Sequence, residues 1–246
     1  MTLFLVKMRS LVLPMLSLIS IVNLSFAQDS ELIEKVSDGL NLTKEDCLEA
    51  FILQKNIPNL ASESIIVIPK ISERNEDYFI LDSYILIVNT QTGEIKSEFH
   101  EEKTWYSDAL ILESIEIDSS SYSLNNNKIT FGIRVKYHTM SRPNPFELEE
   151  LSLFIQNGRK IERILKKLQI HVFKGQTDAI CAGEFEEQNK SIIISKNITN
   201  GYYDLKIINK ITKSRTTKED CESKIIEREK FVEYLKYENG EYKSSF

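Results

Sequence analysis

Glycine and histidine are scarce in this chain, and both shortages narrow the chemistry that the sequence supports. Eight of the 246 residues are glycine, and none lies in the Gly-x-Ser-x-Gly turn that exposes the nucleophilic serine of α/β-hydrolases. The closest two, Gly175 and Gly183, are eight residues apart, which excludes the clustered glycines of a phosphate-binding loop. His100, His138 and His171 are isolated from one another in sequence, so no zinc site is predicted from neighbouring ligands.

Basic residues are outnumbered by acidic ones, and tracts of low complexity are missing. The chain has 31 lysines and arginines against 37 aspartates and glutamates, which gives a net charge of −6. An acidic chain repels phosphate backbones, so we expect no nucleic acid as a partner. Hydrophobic residues make up 41% of the sequence, too much for a disordered chain. Because no proline-rich, glycine-rich or single-charge tract marks a linker, the sequence predicts one domain over residues 28–246.

The first 27 residues have the three parts of a secretory signal peptide. Lys7 and Arg9 provide a positive start, residues 11–22 an apolar stretch, and Ser-Phe-Ala ending at Ala27 the small residues of a cleavage site. The apolar stretch is shorter than the ~20 residues that span a bilayer, and no cysteine follows the cut to carry a lipid. We therefore predict a secreted or periplasmic protein with no membrane span after signal removal. Cleavage removes two basic and no acidic residues, which takes the net charge to −8.

Three cysteines in an exported chain are candidates for one disulfide and one free thiol. Loop entropy does not select the pair. A disulfide that closes the 40-residue loop from Cys181 to Cys221 would stabilise the fold by roughly 4 kcal/mol, and one that closes the 174-residue loop from Cys47 to Cys221 by roughly 5 kcal/mol. Local context is more informative. Cys47 begins a predicted helix, where a small unpaired thiol is tolerated, whereas Cys181 and Cys221 flank a block of predicted strands. We predict a Cys181–Cys221 disulfide that leaves Cys47 free.

Alternating apolar residues interrupted by Asn-Gly form the main local pattern. Asn-Gly pairs at residues 157–158, 200–201 and 239–240 lie between strand-like runs, and both residue types tolerate the positive φ of a tight two-residue turn. A fourth hairpin is predicted around Gly93, in a longer loop. Further strands are predicted at SIIVIP, which Pro69 would end, and at LILESIEI and ITFGIRVKY. The count indicates about ten short antiparallel strands.

Helical spacing of apolar residues is confined to residues 28–56. DSELIEKVSDGLN and TKEDCLEAFILQKN each show it, and Leu48, Phe51 and Ile52 share one face of the second segment. The predicted fold is mainly β, an antiparallel, hairpin-rich sandwich or barrel with one or two N-terminal helices. The ten residues ITNGYYDLKI resemble one blade segment of FG-GAP repeats, without the Asp-rich calcium loop of those repeats. That resemblance implies a propeller as the alternative fold.

The pentapeptide TKEDC occurs twice, starting at Thr43 and at Thr217. In both copies threonine can cap a helix start, with an aspartate three residues later in the position of the capping-box acid. The sequences that follow differ, since the first copy continues as an amphipathic segment and the second becomes an alternating strand. The repeat therefore indicates one capping solution used twice rather than a duplicated domain.

Two loops contain candidate recognition residues. In TMSRPNPFE, Arg142 and Asn144 each precede a proline, which biases both to extended conformations and could present a guanidinium to a carboxylate or an acidic partner. The alternative is a rigid crossover between two strands. In EEKTWYSDAL, Trp105 and Tyr106 could stack on a sugar or a peptide, although a single tryptophan in a β domain is also a common core anchor.

These observations predict a non-catalytic binding or interaction protein of the periplasm or cell envelope, without a cofactor. Its partner would be a protein or a component of the cell envelope. One alternative is an exported hydrolase whose carboxylates or histidines meet only in the folded chain. Another is an inhibitor of an envelope enzyme that uses the Ser-Arg-Pro-Asn-Pro loop. An exposed Arg142 would favour the inhibitor, and a buried one would argue against it.

Overall fold

A computed structural model describes residues 30–58, 60–118, 122–125 and 128–244. The predicted signal peptide, residues 1–27, lies outside these ranges. One α-helix, α1, covers residues 30–39 and is followed by two short 3-10 turns, Lys44–Asp46 and Glu49–Phe51. No helix among the described residues is both long enough and apolar enough to cross a membrane.

The rest of the described chain is almost entirely strand. The strands are β1 (Leu53–Ile57), β2 (Leu60–Arg74), β3 (Phe79–Asn89), β4 (Ile95–Ser107), β5 (Ile111–Asp118), β6 (Thr130–His138), β7 (Phe146–Asn157), β8 (Lys160–Thr177), β9 (Gly183–Thr199), β10 (Tyr202–Thr216), β11 (Ser223–Glu238) and β12 (Glu241–Ser244). They form one connected sheet in which neighbours are antiparallel, apart from a short parallel contact between β4 and β8. The mainly β, antiparallel, hairpin-rich prediction is confirmed.

The sheet folds over itself into layers, and three hydrophobic clusters lie between them. The helix α1 packs on β2 and β3, and the other face of β2 and β3 packs on β5 and β6. A third cluster joins β7 and β8 to β10 and β11. This arrangement is layered like a sandwich and is neither a closed barrel nor a ring of propeller blades.

The layers explain why SIIVI in β2 is a continuous apolar run. Successive side chains of a strand point to opposite faces, so Ile66 and Ile68 contact the helix layer while Ile65 and Val67 contact the β5–β6 layer. All four side chains are buried. A strand covered on both sides needs apolar residues at every position.

The second predicted helix is wrong, because tertiary contacts outweigh its helical spacing. Leu48 donates its backbone N–H to the carbonyl of Pro69 at 3.0 Å, and Cys47 forms a β-bridge with Lys70. The chain is thereby aligned along β2, and residues 53–57 pair with it as β1. Pro69 also does not end β2, which continues to Arg74. The proline is tolerated because β1 pairs with β2 only as far as Val67.

The hairpins lie where the sequence predicts them, with one local difference. Asn200 and Asn239 have φ of 50° and 54°, and each is followed by a glycine with positive φ, as a tight two-residue turn requires. At the β7–β8 hairpin Asn157 instead pairs with Lys160. The two turn residues there are Gly158 and Arg159, with the positive φ of 62° at Gly158.

The predicted disulfide joins two loops at one end of the molecule. Cys181, in the β8–β9 loop, is bonded to Cys221, in the β10–β11 loop. Cys47 is free and buried, and burial raises the pKa of its thiol. The disulfide holds together the ends of the long hairpins β8–β9 and β10–β11, whose opposite ends contribute to the third cluster.

Candidate functional site

The sheet of β9, β10 and β11 has one face that packs into the interior at one end and one face turned to solvent. Towards the disulfide end both faces are open, and Phe231, on the inner side, is 52% exposed. Leu205 and Ile207 of β10 are fully buried in the third cluster. Residues that alternate with them therefore lie on the opposite face, together with their cross-strand partners. We call this surface the outer face. It comprises Glu187, Asn189, Ser191 and Ile193 of β9, Lys206, Ile208, Lys210 and Thr212 of β10, and Arg228, Lys230, Val232 and Tyr234 of β11.

One end of the outer face is apolar although it is open to solvent. Ile193, Val232 and Tyr234 are 46%, 43% and 39% exposed. Val232 is paired with Ile208, while Ile193 and Tyr234 lie on either side of Lys206. Adjacent strands are about 4.8 Å apart and same-face neighbours along a strand about 7 Å apart, so these side chains form one patch. Contiguous exposed apolar surface on a folded chain is typical of interaction sites.

The adjoining part of the outer face is basic. Lys210 lies directly opposite Lys230, and Arg228 is the next residue of β11 on the same face. None of these three cations forms an ion pair with a residue in the described ranges. On the opposite face of the same two strands Lys213 is paired with Glu227, the Nζ–Oε2 distance being 2.7 Å. The outer face therefore carries four cations without an ion pair to a described residue, Lys206 included, together with the carboxylate of Glu187.

Lysines directly opposite each other on neighbouring strands destabilise a sheet. A local feature that opposes stability is expected at functional positions. An anion bound between Lys210, Lys230 and Arg228 would reverse the sign of this interaction. The outer face can therefore bind an anionic group beside an apolar one.

The structure exposes the predicted recognition loop, residues 139–145, and fixes its backbone. Thr177 donates its N–H to the carbonyl of Pro143 at 2.8 Å and its hydroxyl to the carbonyl of Arg142 at 3.0 Å. The N–H of Asn144 is donated to Ser141 Oγ at 3.2 Å. The side chains of Arg142 and Asn144 are exposed. The loop is both a rigid connection between the antiparallel strands β6 and β7 and a frame that presents a guanidinium.

The second pair of predicted recognition residues is divided between core and surface. Trp105 is 3% exposed and belongs to the first hydrophobic cluster, so its ring is not available to stack on a ligand. Tyr106, the next residue of β4, points outward and is 42% exposed, with its ring stacked on Tyr137 at 5.7 Å. Only Tyr106 retains the surface position that recognition requires.

The histidines do not meet in a cleft. His100 stacks on Tyr84. His138 lies 3.3 Å from Glu113, and the ring of His171 is 2.9 Å from Asn189. Neither of the two cavities described below is lined by a histidine. In the described ranges no group of three or more metal-binding side chains comes together.

One carboxylate, Glu150, lines a cavity of only about 10 Å³ together with Lys167 and Arg163. Arg163 forms a bidentate ion pair with Glu101, and this hydrogen bonding holds the pKa of Glu101 below its usual value. Burial raises the pKa of Glu150, and nearby Lys167 partly opposes the shift. The cavity has room for about one water molecule, so it is a polar part of the core rather than a substrate site.

Sequence reasoning missed the outer face. Within one strand the sequence shows the alternation of Lys206, Ile208 and Lys210. The pairing of Lys210 with Lys230, however, depends on the register between two strands. No family model, curated protein or solved structure matches this chain.

Proposed function

We propose that this protein is a non-catalytic binding protein of the periplasm or cell envelope and that its outer face binds an anionic partner. The observation that supports the proposal is the pair of opposed lysines, Lys210 and Lys230, neither of which forms an ion pair with a described residue, beside exposed Val232 and Tyr234. The predicted signal peptide gives the location, and the partner is a protein or an envelope component with negative charge and an apolar part.

The charges of the outer face suit an anion better than a second copy of the same face. Two copies placed face to face would bring the four cations of one molecule against those of the other. An acidic partner replaces this repulsion with attraction, and the exposed apolar residues add area that is removed from water. Each charge-assisted hydrogen bond contributes about 1.5–3 kcal/mol.

The test is binding of the exported chain to dextran sulfate, a soluble polyanion, measured by calorimetry at low and moderate salt. We expect binding despite the net negative charge of the protein, and a loss of about tenfold or more in the double variant Lys210→Gln/Lys230→Gln. The matched control is Lys160→Gln/Lys196→Gln, which removes two exposed lysines outside the outer face. Absence of binding to wild type at low salt, or an equal loss in the control, would refute the proposal.

A second candidate function is inhibition of an envelope enzyme by the loop of residues 139–145. The observation that favours it is an exposed Arg142 on a backbone held by Thr177. An arginine-specific serine protease is a suitable probe, because its specificity pocket takes a guanidinium. We expect inhibition by wild type and not by Arg142→Ala, with Arg159→Ala as the control for loss of an exposed arginine. Full protease activity at 10-fold excess of wild type would eliminate this candidate.

A further inference from the structure

A groove of about 380 Å³ opens where β9 separates from β8. The two strands pair from His171 and Asn189 towards the disulfide end. Beyond that pair β9 continues with β10 alone, while β8 continues with β7. The space between the diverging strands is the groove, and its volume falls within the range of small-molecule sites.

The floor of the groove is aliphatic. Leu151 and Ile170 are buried, and Ile192 and Ile194 of β9 are half-buried beside them. All four line the groove. Such a surface suits a hydrocarbon chain, because covering it removes apolar area from water at both partners.

One wall is polar, and its single guanidinium is paired with two carboxylates. Arg134 donates from Nε to Asp118 Oδ2 at 2.7 Å and from Nη1 to Glu149 Oε1 at 3.0 Å. The hydroxyl of Tyr122 donates to the same oxygen of Asp118 at 2.7 Å. Burial and this hydrogen bond raise the pKa of Tyr122 to about 12. This wall is fixed in place, and it offers a ligand no unpaired cation, because its one guanidinium is shared by two carboxylates.

Lys190 is the cation of the groove that has no ion-pair partner in the described ranges. Its side chain lines the groove beside Ile192, and it makes no ion pair or hydrogen bond with any residue that the structure describes. Lys190 is thus the cation at this groove that has no carboxylate partner among the described residues, and it repels an incoming cation. An incoming carboxylate finds an available ammonium group.

We propose that this groove binds an unbranched aliphatic carboxylate, with the hydrocarbon chain on Leu151, Ile170, Ile192 and Ile194 and the carboxylate at Lys190. The site is separate from the outer face. Lys190 belongs to the face of β9 that carries Ile192 and Ile194, whereas Ile193 belongs to the outer face. Ser191, an outer-face residue between Lys190 and Ile192, also borders the groove. The two activities can therefore be lost independently.

The experiment measures binding of decanoate, decanol and decylammonium to the full exported chain by calorimetry. We expect a Kd for decanoate on the order of 100 μM or tighter, with decanol about tenfold weaker and decylammonium weaker still. Lys190→Gln should bring decanoate to the level of decanol without changing decanol itself. Lys196→Gln, on the same strand and outside the groove, should change neither.

Ile192→Trp places a larger side chain in the groove and should abolish binding of both decanoate and decanol. No decanoate binding by wild type at 1 mM would overturn the proposal, as would a Lys190→Gln variant that still prefers decanoate over decanol tenfold. Dextran sulfate binding of Lys190→Gln is measured in parallel. Because Lys190 is not on the outer face, we expect this variant to retain dextran sulfate binding. Loss of decanoate binding in the groove and loss of polyanion binding at the outer face can therefore be told apart.

Discussion

Replacing Lys230 with glutamate is expected to stabilise the fold and to weaken binding of anions. In the wild type Lys230 lies directly opposite Lys210, and Arg228 is its same-face neighbour on β11. The substitution turns one cross-strand repulsion into an attraction and places a carboxylate beside Arg228. A protein that gains stability by losing a surface lysine would show that the lysine is kept for binding.

The size of the effect follows from Coulomb's law. Two unit charges about 7 Å apart in a water-like medium interact by about 0.6 kcal/mol, so a change of sign is worth about 1.2 kcal/mol. Salt at physiological concentration reduces this to about half, and the contact with Arg228 adds a similar increment. We expect Lys230→Glu to raise the free energy of unfolding by about 1 kcal/mol, the sum of these two charge pairs.

Urea denaturation at low and high salt measures this change as a shift of the midpoint at constant slope. The control is Lys196→Glu, an equal change of charge at an exposed position of β9 that is not paired with a residue of β10. The gain should appear only in Lys230→Glu and should shrink with salt. A loss of stability in Lys230→Glu, or an equal change in both variants, would show that the repulsion between Lys210 and Lys230 is not significant.

Three further predictions concern the disulfide and the polar core. Replacing Cys181 and Cys221 with alanine removes a constraint on a 40-residue loop and should lower the free energy of unfolding by up to about 4 kcal/mol, measured by urea denaturation against the oxidised wild type. Glu101→Gln breaks the bidentate pair with Arg163 and leaves a buried guanidinium short of a counter-charge, which should cost about 1–3 kcal/mol in the same assay; no change would mean that the pair is not a structural contact. Because burial raises the pKa of Glu150 in the folded state, wild-type stability should fall as pH rises above the ordinary glutamate value of about 4.3. Urea denaturation from pH 4 to pH 8 should therefore show that Glu150→Gln is more stable than wild type only at the upper end of this range. If the free energies of unfolding of the two proteins change in parallel with pH, the pKa of Glu150 is not raised in the folded state.

Features that depend on residues near one another in sequence were predictable. The turns at residues 200–201 and 239–240 form because asparagine and glycine accept the positive φ that the turn needs, whatever the rest of the chain does. The capping arrangement of TKEDC is local too. Asp46 accepts hydrogen bonds from the N–H and the hydroxyl of Thr43, and Asp220 accepts one from the hydroxyl of Thr217. Only the first copy begins a 3-10 turn, because the chain after Cys221 is drawn into β11.

The candidate sites were not predictable, because they depend on pairing between distant residues. Twelve residues on three strands make the outer face, and a shift of register by one residue would send Lys210 and Lys230 to opposite sides of the sheet. The groove depends on the point at which β9 leaves β8. Neither the register nor the separation has a pattern of its own in the sequence.

The sequence by itself determined the export prediction, the β class, the hairpin positions and the disulfide partners, since these follow from composition, alternation and turn chemistry. Tertiary structure alone decided that residues 53–57 form a strand, that Trp105 is a core residue and that Arg142 is exposed. It also decided which lysines are left without counter-charges. The physical reason is that burial and charge pairing are properties of contacts between strands, and a strand's own residues specify only which of its two faces each side chain occupies.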